Sequence, residues 1–123
     1  MSYDLRLAVK VEGTDILAVI DEPEFSSPTY NIGVMFRKCM GWNFEQGKFY
    51  NVAEVYSYIE HGINELETNE KEYMKYDSPN GWGTTRSALK ALRSLKECID
   101  RNSKEDSCWT WQVIPKEHLY VAW

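Results

Sequence analysis

The sequence predicts an α+β fold: a small antiparallel sheet, built from an N-terminal hairpin plus a C-terminal strand, covered on one face by about three helices. Three patterns carry that expectation. Residues 3–11 alternate apolar and polar, residues 52–66 repeat apolar side chains at helical spacing, and the chain closes on a second alternation at Leu119, Val121 and Trp123.

In the first segment Tyr3, Leu5, Leu7, Val9 and Val11 share one face, while Asp4, Arg6, Lys10 and Glu12 share the other. Period two of this length belongs to a half-buried strand of an antiparallel sheet. Glu12-Gly13-Thr14-Asp15 supplies the turn, and Asp15–Ile20 returns as the second strand. Pro23 ends it, because proline cannot donate to a ladder.

Residues 32–40 read as a short helix with Val34, Met35, Phe36 and Cys39 inside, Arg37 and Lys38 outside, and Gly41 as its stop. Trp42–Tyr50 is aromatic and irregular. Asn51 caps the longest helix, whose stripe is Val52, Val55, Tyr56, Ile59, Ile63 and Leu66, and whose period extends to Tyr73 and Met74. Its opposite face carries Glu54, His61 and Glu65. Thr84 or Thr85 caps the last helix, with Ala88, Leu92, Leu95 and Ile99 inside. Residues 102–107 are a polar loop, and 109–114 a weak alternation before Pro115 and the final strand.

At 123 residues the chain is one domain, long enough to bury a core without metal or disulfide support. Its net charge of −5 runs against non-specific nucleic-acid binding, which needs surplus Lys and Arg to release counterions. No long apolar run, leader pattern or lipidation motif points to a membrane, so a cytoplasmic protein of a bacterial host cell is expected. Cys39, Cys98 and Cys108 cannot all pair within the chain and have no zinc spacing; Cys39 and Cys98 read as buried apolar groups. No metal or cofactor is expected.

Two loops resemble each other: Ser27-Pro28-Thr29-Tyr30-Asn31 and Tyr76-Asp77-Ser78-Pro79-Asn80-Gly81-Trp82-Gly83-Thr84. Each puts Ser, Pro, Asn and an aromatic before a helix, where unpaired N–H groups receive an anion or a carbonyl. Thr29, Tyr30, Asn31, Asn80, Gly81, Trp82, Gly83 and Thr84 are therefore the candidate ligand-binding residues, with Trp82 stacking and Arg86 pairing a phosphate. The alternative is structural: both loops cap helices, and Trp82 and Tyr30 fill the core. Arg86, Lys90 and Arg93 share an arc that equally suits a solvated helix face.

Enzyme chemistry has little support. His61 lies on a polar helix face, His118 stands beside the last strand, and no nucleophile elbow, H-E-x-x-H or phosphate-loop motif is present. Asp21, Glu22 and Glu24 read as solvated carboxylates at a strand end.

The residues Met1-Ser2-Tyr3-Asp4-Leu5, the two loops and the ending Leu119-Tyr120-Val121-Ala122-Trp123 resemble a group of small proteins carried by phages and integrative elements of gut Firmicutes. The resemblance spans nearly the whole chain, although Ser103–Gln112 is longer here, as a tolerated insertion would be. It carries over no activity and no functional residue. It implies a context, a mobile element's accessory protein, in which short acidic proteins often inhibit host defences.

The expected function is accordingly that of a non-enzymatic binding protein, a counter-defence inhibitor that lays an acidic, aromatic face (Glu54, Tyr58, Glu65) on a basic host protein. The second expectation is a binder of a small anionic or nucleotide ligand through the two loops. The spare aromatics and the second face of the sheet are also compatible with a homo-oligomer.

Overall fold

Strand β1 (Arg6–Lys10) is where the first alternation acquires a ladder. In the computed structural model, which describes residues 3–28, 32–77, 83–103 and 114–123, Tyr3 and Leu5 precede that ladder. Their N–H groups donate instead to the Pro28 and Ser26 carbonyls, at 2.8 and 2.7 Å. Tyr3, Leu5 and Leu7 are fully buried as the pattern requires, whereas Val11 lies beyond the strand and is 40% exposed.

The four strands run in the order β2-β1-β4-β3, with β2 at Leu17–Asp21, β3 at Tyr50–Asn51 and β4 at Leu119–Ala122. All pairings are antiparallel: Leu7 faces Val121, Val9 faces Ala18 and Tyr50 faces Val121. The hairpin and the last strand thus join one sheet as expected. The two-residue β3 is an addition, formed where the irregular aromatic segment meets β4. A register shift between Leu7 and Ala8 leaves Ile20 as a bulged residue of β2.

Helices cover the sheet face that carries Leu5, Leu7, Leu119, Val121 and Trp123. Helix α1 (Gly33–Met40) ends at Gly41, whose φ of 68° and N–H bond to the Arg37 carbonyl make a left-handed stop. Two assignments there reverse. Val34 is 55% exposed. Arg37 is drawn inward, because its Nε reaches the Phe44 carbonyl at 3.1 Å and its guanidinium lies 4.4 Å from the centre of the Phe44 ring.

Asn51 caps α2 (Val52–Thr68), its side chain accepting from the Ala53 N–H at 3.1 Å. The helix stops before Tyr73 and Met74. Thr68 bonds back to the Asn64 carbonyl and Asn69 leaves helical geometry at φ −121° and ψ 36°. A single turn, α3 (Glu70–Tyr73), and a 3-10 turn at Met74–Tyr76 follow, with Met74 51% exposed. Helix α4 (Thr85–Ser103) takes in the first two residues of the expected 102–107 loop, because Asn102 is buried and hydrogen-bonded; residues 104–107 lie outside the described residues.

Gly62 lets α2 pass close to both neighbours. A Cβ there would stand 2.7 Å from Met40 Cγ and 3.0 Å from Leu92 Cδ1. Cys39 and Cys98 are free and buried, and burial pushes each thiol up to about 12. Cys108 lies outside the described residues.

Candidate functional site

The helix entry before α4 is the described part of the richer loop. Gly83 is buried at φ 91°, a conformation that glycine takes without strain. The Thr84 hydroxyl accepts the Ser87 N–H at 3.2 Å, an N-cap bond. Thr85 donates both its N–H and its hydroxyl to Asp77 Oδ1, each at 2.7 Å. A carboxylate of the chain itself therefore sits where a ligand's anion was expected, and it complements the helix dipole there. Arg86 points away: its side chain is 90% exposed and stands 3.7 Å from a Glu70 carboxylate oxygen.

Thr29, Tyr30, Asn31, Asn80, Gly81 and Trp82 lie outside the described residues. Gly83, Thr84 and Arg86 are the candidates whose positions are given, and Gly83 and Thr84 build the turn and cap.

The Arg86–Lys90–Arg93 arc borders a shallow groove of about 790 Å³ between α2, α4 and residues 24–25. Phe25, Leu66 and Leu89 supply its apolar surface. Two of the three cations are paired locally, Arg93 with Glu67 at 3.3 Å and Arg86 with Glu70, while Lys90 stands 5.1 Å from the centre of the Phe25 ring. Such exposed pairs leave little positive field for an anion.

A second surface is built from aromatics. Trp123, 1% exposed, stacks on Phe44 at 4.8 Å and meets Trp42 edge-on at 5.3 Å. Trp42 also meets Tyr50 edge-on at 4.7 Å and stacks on Tyr58 at 5.5 Å with 20° between the ring planes. The chain of rings thus starts in the core and ends at Tyr58, which is 41% exposed on α2. Glu54, Tyr58, His61 and Glu65 follow at steps of four, three and four residues, one stripe of the helix. His61 stands 3.8 Å from Glu65. Tyr58 and its carboxylates were legible as a face; Trp42 as the brace beneath was not, although a Trp directly after the helix-stopping Gly41 is its only sequence signal.

Tyr56 donates to Asp100 Oδ1 at 2.6 Å, and Lys96 and Lys116 stand against this pair, 3.7 Å from Asp100 and 4.7 Å from the Tyr56 ring centre. Burial, then the Asp100 hydrogen bond, raises the Tyr56 phenol well above its ordinary range, so it stays protonated. Asp21, expected to be solvated, is engaged: Arg101 and Asn102 both donate to it.

Among the described residues, no group of three or more His, Cys, Asp or Glu side chains could hold a metal, and no helix is long and apolar enough to cross a membrane. No family model matches the chain, and no curated protein or solved structure matches it either.

Proposed function

We propose that this chain is a non-enzymatic binding protein that occupies a basic surface of a protein partner, as an accessory protein of a mobile element would do to a host defence. The observation that carries this reading is the Trp42–Tyr58 stack. A half-exposed tyrosine braced by a buried ring network loses little side-chain entropy on docking, which is how aromatic anchors contribute most of an interface's energy. Glu54 and Glu65 flank it on the same stripe, and the net charge of −5 adds a field that draws a cationic partner in. The ligand-binding alternative has less support, because the Thr85 donors and Arg86 already have anionic partners within the chain.

A photo-crosslinking residue placed at position 58, with position 34 as the exposed control, tests the reading. Capture of one basic protein from position 58 alone is expected. With that protein purified, Tyr58→Ala should weaken binding by roughly thirtyfold, and Glu54→Lys should slow association more than it speeds dissociation. Binding indifferent to both substitutions would overturn the proposal.

A further inference from the structure

Apolar exposure is concentrated on the hairpin. Of the large apolar side chains exposed among the described residues, Val11, Ile16, Val19 and Ile20 all belong to it, at 40, 63, 48 and 41%. Strand β2 is also the sheet's edge, and among the described residues it pairs only with β1. The Val11 N–H donates to the Ile16 carbonyl at 2.8 Å. In regular antiparallel pairing Ala18 then turns its backbone groups to Val9, so those of Leu17 and Val19 point outward. Natural edges are commonly guarded by lysine, proline or an inward-pointing charge. Leu17-Ala18-Val19-Ile20 has none of these, and Asp21 at its end is held by Arg101.

Charge decides what such an edge would accept. Exposed Glu12 and Asp15 stand before the strand and exposed Glu22 and Glu24 after it; Lys10 lies 3.3 Å from Asp15, and the Arg101 guanidinium at the far end is already engaged by Asp21 and the Glu22 carbonyl. A second copy is disfavoured. Two-fold antiparallel pairing centred on Val19 would set Asp15 beside the other copy's Glu22 and Glu24.

We propose that β2 is a strand-addition site for an extended protein segment whose apolar core is flanked by Lys or Arg at both ends. Main-chain bonds to Leu17 and Val19 supply affinity, and the carboxylates at both ends select the basic flanks. β2 is the edge opposite β3, from which α2 departs, so this site is separate from the Tyr58 face and stands without it.

The test uses a synthetic peptide of alternating valine and threonine between two lysine pairs, and its twin with glutamate pairs. The lysine peptide should slow amide hydrogen exchange at Leu17 and Val19, and the glutamate peptide should bind about tenfold or more weaker. Val19→Pro removes an outward N–H without breaking the β1 ladder and should abolish protection. The paired surface change Asp15→Lys with Glu22→Lys should reverse the peptide preference in a folded protein. Equal binding of the two peptides, no protection by the lysine peptide, or concentration-dependent protection without peptide, as a second copy would give, overturns the proposal.

Discussion

Arg101 donates to both oxygens of Asp21, Nε to Oδ2 at 2.7 Å and Nη2 to Oδ1 at 2.8 Å, joining residues 80 apart. Asn102 adds a bond to Oδ2 at 2.8 Å, and Arg101 also reaches the Glu22 carbonyl at 2.9 Å. The last turn of α4 is thereby pinned to the end of β2. Burial alone would raise the Asp21 pKa, but the hydrogen bonds from Arg101 and Asn102 outweigh it and hold the carboxyl at about 2.

A lowered pKa makes this pin pH-dependent with a definite sign. The folded state favours ionised Asp21, so its contribution is full above the unfolded value near 3.8 and is lost as pH falls toward 2. Asp21→Asn should cost about 1–2 kcal/mol at pH 7, the side chain being partly exposed and screened. Urea titrations of both proteins from pH 6 to pH 2 should show that gap closing below pH 4. A gap of constant size down to pH 2 would assign the loss to something other than the charge.

The Asp77 cap is the second prediction. Asp77→Ala removes the acceptor of two Thr85 donors and should cost about 1–2 kcal/mol. It also vacates an anion position at a helix N-terminus, so sulfate should raise the melting temperature of Asp77→Ala more than that of the wild type at equal ionic strength. Equal sulfate responses would mean that the carboxylate was not filling an anion site.

How much of this was legible in the sequence follows from the range of each signal. Period two at residues 3–9, the Asn51 cap and the Gly41 stop are local, and all three are in place. The Asp21–Arg101 pin and the Trp42 brace depend on residues brought together by the sheet, and no spacing rule reaches them. Periodicity also overshot at α2: the stripe projects onto Tyr73 and Met74, but the Thr68 hydroxyl bonds back to the Asn64 carbonyl and Asn69 leaves helical geometry, its side chain donating to the Glu65 carboxylate. Of the site residues, Gly83 and Thr84 announced a turn and a cap, and they build them.

Cys39 and Cys98 should behave as core, not as chemistry. With thiols held near 12 by burial, neither forms appreciable thiolate at pH 7.5. In a Cys108→Ser variant, maleimide labelling across a urea series should rise with the same midpoint as the loss of helical circular dichroism. Labelling of the native state at a rate typical of free thiols would show that one of the two is accessible.

Gly62→Ala gives the last prediction, because two effects of opposite sign meet there. In an exposed helix the change would stabilise by about 1 kcal/mol, since alanine has less backbone freedom to lose. Here the added methyl would meet Met40 Cγ at 2.7 Å, Leu92 Cδ1 at 3.0 Å and Cys39 Sγ at 3.3 Å, and overpacking of this kind costs about 1–3 kcal/mol. Met40 is flexible and can yield, but Leu92 is fully buried on the facing helix, so α2 and α4 must separate. The net expectation is destabilisation by about 1 kcal/mol. Leu92→Ala should then be less harmful in the Gly62→Ala background than alone, because the new methyl occupies part of the space it leaves. A double-mutant cycle by urea denaturation reads that coupling directly, and strict additivity would mean that α2 and α4 do not meet at this crossing.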